Sequence, residues 1–417
     1  MGFNQRFLRG GPQLLSASQA RTFRTASNLH ALLEDLMTAV SFSRPLTIGF
    51  LRRGYSSSGG VEVYLKGLAA GLRAQGHRVI LLGTGEWPSW EWPGGEMLKC
   101  AGKNLTVFAA EVERQKSESG IPFDLILSVE KVPGCDLYRT DEGIHLAWLK
   151  EREPYLHPWA RLFQKFNPKH REKLRMERAL FRSGSTRRVI SISEKITRDL
   201  VDLYGYPADR ISLIRNGVPQ VGVANPEQRA EARKALGISL DEKIILFVGT
   251  GWERKGLRFA IQAVEGLALD HPTVRLLVAG KGAVHRYASP AVTFLGPVTH
   301  MKRVYAAADL FVTPTIFEPF SLAALEALSA GLPVITSKAA GISEIMIPGV
   351  HGEIIDSPSD REALRAALAA WLSILEEGQR SSVQKNCADL ASEFTLERNL
   401  RETMTLIHDL IREKARG

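Results

Sequence analysis

Between residues 46 and 336 the chain repeats one unit many times: a short apolar strand, a glycine-containing turn and a helix with apolar residues at helical spacing. Residues 46–51 (LTIGFL) read as a buried strand. Gly59 and Gly60 then open a helix carrying Val61, Leu65, Leu68 and Leu72, which Gly76 stops. Residues 79–82, 123–127 and 188–193 continue the strand pattern. Short apolar strands separated by helices predict a parallel sheet covered on both faces. The first module runs out at Asn216-Gly217-Val218-Pro219, and a second restarts at 243–248. Its strands fall at 275–279, 292–295, 310–313 and 333–336, with helices at 256–267 and 320–330. Four helical stretches are expected to fill 360–413, 361–375 and 396–411 among them. The expectation is an α/β chain of two doubly wound domains, 44–218 and 219–395, with a helix at 396–417 that packs back on the first. Open α/β sheets bind ligands at the carboxyl ends of their strands, so the site belongs in the crevice between the two modules.

Length and composition narrow the class further. The 417 residues suit two to three domains. With 44% hydrophobic and 24% charged residues, the chain has core enough to exclude disorder or a collagen-like repeat. Cys100, Cys135 and Cys387 are odd in number and widely spaced, which argues against a disulfide framework or structural zinc site and for a reducing compartment. The longest apolar run, 319–335, is interrupted by Glu326, Gly331 and Pro333, so no span of a membrane is expected. Residues 1–33 carry four arginines and no acid, the composition of a transit peptide or of an unfolded tail preceding a start at Met37. Residues 1–43 are set apart as an extension.

The most informative segment is 317–327, FEPFSLAALEA. Glu318 leaves a strand just ahead of a helix, and Glu326 follows eight residues later in otherwise apolar surroundings, where a charge is costly without a partner. The backbone N–H groups of Phe320, Ser321 and Leu322 would lie at the positive end of the helix dipole and form an anion site. A phosphate cradle beside two hydroxyl-accepting carboxylates is what a nucleotide sugar requires.

These residues, with 248–256 (VGTGWERKG), 278–282 (VAGKG), 294–298 (FLGPV) and 330–335 (AGLPVI), give a sequence that resembles the GT-B retaining glycosyltransferases of family 4 (group 1) over about 44–395. Residues 130–138 (EKVPGCDLY) resemble a segment of the lipopolysaccharide core α-glucosyltransferases within that family. The resemblance implies two Rossmann-like domains facing across a crevice. It implies transfer of a hexose, glucose from UDP-glucose, to lipopolysaccharide core or a related glycolipid, with retained configuration. Glu318 would hold the donor sugar's hydroxyls and Glu326 the ribose, while Val298 and its neighbours would wrap the base through main-chain groups.

Arg254 and Lys255, between a strand and a helix, would neutralise the diphosphate leaving group. Gly59 and Gly60 would let the first domain's backbone approach the same group. Where core glucosyltransferases place an Asp on the following helix, this chain has Tyr64. Asp136 and Asp141, read as lying near a strand's end, would face the crevice and orient the acceptor hydroxyl or take its proton. The histidines and acids show no metal-ligand spacing, so neither a metal nor a cofactor beyond the sugar nucleotide is expected.

The net charge of +9 favours an anionic partner, and most of it sits in 151–188. There eleven Lys or Arg and four Glu give +7, with Tyr155, Trp159, Phe163 and Phe166 interleaved. Lys131, Trp159, Lys165, Lys169 and Arg171 are accordingly expected to contact the glycolipid acceptor or the anionic cytoplasmic leaflet of the inner membrane. Two other readings stand beside this one: a non-hydrolysing UDP-sugar epimerase of the same fold, and a nucleic-acid-binding protein using the basic segment.

Overall fold

The computed structural model describes residues 44–55, 60–182 and 185–416; the extension 1–43 and Gly59 lie outside the described residues. Seven strands form the first sheet: β1 (Thr47–Arg52), β2 (Arg78–Gly83), β3 (Glu96–Lys99), β4 (Leu125–Ser128), β5 (Leu137–Arg139), β6 (Arg188–Ser191) and β7 (Ile211–Leu213). Their order is β3-β2-β1-β4-β5-β6-β7, and every pairing is parallel. The second sheet contains β8 (Lys243–Val248), β9 (Val274–Ala279), β10 (Val292–Gly296), β11 (Leu310–Thr313), β12 (Val334–Ser337) and β13 (Gly352–Ile355). Its order, β10-β9-β8-β11-β12-β13, again is parallel throughout.

The strands that lie centrally are those whose runs are apolar at every position. Ile244, Ile245, Leu246 and Phe247 of β8 are all fully buried, because helices cover both faces of a parallel sheet. In each sheet the order reverses beside the first strand, between β1 and β4 and between β8 and β11, which opens a crevice at the strands' carboxyl ends.

Chain termini of several helices knit the two halves. Ser193 caps helix Glu194–Tyr204, accepting from the Ile196 amide at 3.3 Å. Glu344 of the second half completes that cap, accepting from the amides of Glu194 and Lys195 at 2.8 and 2.7 Å. The Phe317 ring packs against Trp148 and under the Lys195 ammonium, and Tyr155 meets Phe259.

Three helices, not four, close the chain: Arg361–Glu376, Arg380–Ser392 and Leu396–Arg416. The last lies against helix Gly60–Ala74 of the first half, with Leu400 filling the space over Gly67 and Tyr64 Oη 3.3 Å from Thr403 Oγ1. The chain thus passes between the halves twice, at one place. Val218 donates to Phe394 O at 3.1 Å and Leu396 donates to Val218 O at 3.3 Å. A Cβ on Gly217 would stand 2.0 Å from Thr395 O, so only glycine lets the two passages lie this close. Among the described residues no helix is long and apolar enough to cross a membrane.

Candidate active site

Strand β11 delivers Glu318 to the crevice. Its loop is held by hydrogen bonds from the Glu318 amide to Ala339 O and from the Gly341 amide to Glu318 O, at 3.2 and 3.0 Å. From the exit of β8, Lys255 Nζ reaches Glu318 Oε2 at 2.5 Å and Arg254 reaches it at 3.1 Å. Arg254 also donates to Phe317 O at 2.7 Å, while its own carbonyl accepts from the Ile316 amide at 2.9 Å. Glu318 and Lys255 are buried; Arg254 is one-third exposed. Burial opposes charge on Glu318, but the two cations outweigh it and hold the carboxyl at about 2. The three side chains therefore carry one net positive charge at neutral pH.

The helix after this loop runs Leu322–Ser329, two residues shorter at its start than the sequence suggests. Ser321 is its cap, with Oγ accepting from the Ala324 amide at 3.4 Å. Ser321 has φ 94°, the one left-handed non-glycine residue among those described. Backbone strain of this kind persists where the surroundings over-determine it, commonly at a ligand site. The first-turn amides of this helix have no carbonyl earlier in the helix to pair with. Phe320 itself is buried, so it offers only its backbone to this edge.

Opposite stands the start of helix Gly60–Ala74. A Cβ on Gly60 would fall 2.2 Å from Leu322 Cδ1, so the amino ends of two helices, one from each half, meet here. Both present positive dipole ends to the same gap. Glu326, one turn further along its helix, is partly buried and accepts from Tyr305 Oη at 2.7 Å. Burial pushes its carboxyl above the ordinary value, and the Tyr305 hydrogen bond only partly offsets that. Val298 lies half-buried beyond Gly296, beside the end of β10.

The first half corrects several expectations. Asp136 does not face the crevice: it precedes β5 and so lies at the opposite edge of the sheet. There its carboxylate accepts from the Ile126 amide at 2.8 Å and Lys414 Nζ at 3.0 Å, tying down the terminal helix. Lys131 is not a surface contact either. It is 3% exposed, donates to Gly143 O at 3.0 Å and lies 3.6 Å from both Glu142 and Glu177. Although burial opposes its charge, Tyr138 and the carboxylates of Glu142, Glu177 and Glu130 hold it above its usual value.

Asp141 is at the crevice end of β5, but its carboxylate is turned onto Arg139 at 3.0 Å. Arg139 also stacks on the Tyr64 ring, 3.8 Å from its centroid. Tyr64 is thus a packing residue, which accounts for the absence of an acid there. The half-exposed carboxylate on this edge is Glu142, 3.4 Å from Lys173. Its neighbour Gly143 packs directly against Phe317 and Pro319 of the Glu318 loop. Beside it, Arg52 at the end of β1 joins Glu62 (2.8 Å) and Glu130 (3.1 Å).

Trp159, Lys165, Lys169 and Arg171 are all exposed, on helix Pro158–Phe166 and the start of helix Pro168–Arg182. Trp159, Leu162, Phe163 and Phe166 are 67%, 50%, 67% and 67% exposed. Their i, i+3, i+4, i+7 spacing makes them one apolar face.

The model of glycosyl transferases group 1 matches residues 242–373, which hold Arg254, Lys255, Glu318 and Glu326. That of glycosyltransferase family 4 matches 144–220, and the two together take in half of the chain. The chain belongs to the group 1, family 4 glycosyltransferases. An uncharacterised glycosyltransferase of Methanocaldococcus jannaschii is 32% identical over 184 residues, 39% of this chain and 45% of that protein. The lipopolysaccharide glucosyltransferase WaaG of Escherichia coli is 24% identical over 345 residues, 79% of this chain and 90% of WaaG. Several D-inositol 3-phosphate glycosyltransferases match over about half of their length or less, as the archaeal protein does. A crystal structure of WaaG superposes with TM-score 0.71 at 23% identity, covering 86% of this chain and 99% of that one. Anabaena HepE, solved with UDP and glucose, gives 0.65 at 18%, covering 87% and 99%. The fold is the GT-B architecture of this family.

Proposed function

We propose that the chain transfers a hexose, glucose from UDP-glucose, onto lipopolysaccharide core or a related glycolipid with retained configuration. The observation that carries this reading is the Lys255–Glu318 pair, buried, with Arg254 beside it, next to two converging helix starts. A group carrying two negative charges and a hydroxyl-rich ring matches that arrangement: the spare positive charge and the amides take the diphosphate, and Glu318 takes sugar hydroxyls. Glu326 takes the ribose. The likeness to WaaG along most of both chains supports the lipopolysaccharide acceptor, and HepE's complex with UDP and glucose supports the donor.

As the bond to the anomeric carbon breaks, Arg254 and Lys255 stabilise charge developing on the leaving phosphate. By analogy with the family, that phosphate takes the acceptor's proton. Glu142, open to the crevice, orients the acceptor hydroxyl in the place first assigned to Asp136. No metal or further cofactor is required, because side-chain cations take that role. The apolar face of helix Pro158–Phe166, with Arg161 and Lys165 on the same helix and Lys169 and Arg171 on the next, seats the enzyme on the anionic cytoplasmic leaflet, where a lipid-linked acceptor is found.

The test is a panel of sugar nucleotides incubated with the protein in EDTA, with and without extracted core glycolipid. UDP release that depends on the glycolipid supports transfer. Conversion of the UDP-sugar without acceptor would make the chain an epimerase, and loss of release in EDTA would overturn the metal-free mechanism.

A further inference from the structure

We propose that Glu344 is a positioning residue for Glu318. It fastens the loop that carries Glu318 to the first half, so that contact between the halves sets the sugar-holding carboxylate in place; this rests on the donor-sugar role given to Glu318 above. Glu344 ends the 3₁₀ turn Gly341–Glu344 and stands between Ile342 and Met346, both buried. A carboxylate in such apolar company is costly without partners. The first half supplies them: the amides of Glu194 and Lys195, and Arg215 Nη2 at 3.6 Å.

The amino end of helix Glu194–Tyr204 suits this contact. Ser193 takes the Ile196 amide, which leaves the first two amides of the helix to be paired from outside it. Glu344 Oε2 accepts from Glu194 and Oε1 from Lys195, one amide to each oxygen. A carboxylate at the positive end of a helix makes the stronger, charge-assisted kind of hydrogen bond.

On its other side the same turn is bonded to the Glu318 loop. The Gly341 amide donates to Glu318 O at 3.0 Å and the Ile342 amide to Phe320 O at 2.8 Å. Gly341 is pressed between the halves, since a Cβ there would stand 2.2 Å from Pro319 O and 2.8 Å from Ser193 Cβ. The first half grips the loop a second time at Phe317, which is buried beneath the Lys195 ammonium and against Trp148 and Gly143. Lys195 therefore serves both grips, its amide on Glu344 and its ammonium over Phe317, and Glu151 fixes that ammonium at 2.5 Å. Glu318 is tied through its side chain to Arg254 and Lys255 of the second half, and through its backbone and the turn to the first.

The experiment is a double-mutant cycle on Glu344→Ala and Glu318→Ala, assayed with UDP-glucose and core glycolipid. Glu344→Ala alone should lower kcat by about tenfold to 10²-fold, the order expected when a group is held about 1 Å out of place. Affinity for UDP should stay within about threefold. In the Glu318→Ala background the second substitution should cost less than about twofold, because a residue acting through Glu318 then has nothing to act on. Glu344→Gln, which keeps an accepting oxygen, should recover part of the loss, and it replaces Glu344→Ala in the cycle if that variant does not fold. Losses that add in the double variant would overturn the proposal and leave Glu344 a contact between the halves only. Hydrogen exchange gives a readout independent of turnover: the amides of Gly341 and Ile342 should exchange about tenfold faster in the Glu344 variant. Unchanged protection there, with faster exchange confined to Glu194 and Lys195, would equally overturn it. UDP binding by wild type reports separately on the donor reading. If wild type transfers to no acceptor, exchange at Gly341 and Ile342 alone decides.

Discussion

On the second half's wall of the crevice two cations share one carboxylate, whereas on the first half's wall Arg52 is shared by Glu62 and Glu130. The local balance is one positive charge in excess on one side and one negative on the other. Both clusters are largely buried, so neither imbalance is quenched as it would be in open water. A diphosphate is drawn to the first arrangement and repelled by the second, while a ring of hydroxyl groups finds acceptors on the second. On the proposed function, the difference would place donor and acceptor on opposite walls.

Lys255→Ala should produce the largest effect. It removes a buried cation from beside Glu318, and kcat/KM for the sugar nucleotide should fall about 10²- to 10³-fold, read by steady-state kinetics. Arg52→Ala is its counterpart: acceptor KM should rise while donor KM stays within about twofold. If both substitutions raised donor KM alike, the assignment of walls would fail.

Within the second wall the two glutamates should separate. Glu318→Ala should chiefly lower kcat, and Glu326→Ala should raise donor KM about tenfold or more, as for loss of a hydrogen bond to a charged group. pH sharpens this further. Glu326 must lose its proton to accept from two hydroxyls, and its carboxyl titrates above the ordinary value of 4.5. Donor KM should therefore rise as pH falls toward that range, and the rise should vanish in Glu326→Gln. Glu318, held at about 2, stays ionised throughout. Its ion pairs stabilise the fold fully above about pH 4.5 and are lost only as pH falls toward 2.

The smallest effect belongs to the outer surface. Lys165→Ala should weaken binding to anionic vesicles about fivefold, at about 1 kcal/mol per cation near the surface. Turnover of a soluble, deacylated acceptor should not change. Equal binding by the variant would remove the proposed membrane contact.

The second wall was legible in the sequence because its parts are contiguous: Arg254 and Lys255 follow one strand, Glu318 follows another, and Glu326 sits on the helix next in line. The partner of Glu326 was not, since Tyr305 lies 21 residues earlier and only packing of its helix brings the hydroxyl in. Asp136 shows how a boundary decides a role. The strand beside it starts at Leu137 rather than ending nearby, and that shift moves the carboxylate from one edge of the sheet to the other. Lys131 is read as a surface cation until Glu177, 46 positions away, is seen beside it in the interior. Within its family-like segment, 130–138, Lys131 and Asp136 serve packing and tethering, while Glu130 joins Arg52 at the crevice. Tyr64 is explained the same way, by an arginine that arrives from a different strand.

The paired passage of Val218 and Thr395 sets how the walls can part. Two chain segments running side by side through one point act as a pivot, and bodies joined at a pivot swing rather than slide. A rotation there would move groups beside it little and distant groups through a far longer arc. Any opening of the crevice would turn about Gly217, where a Cβ would stand 2.0 Å from Thr395 O and no bulkier residue fits.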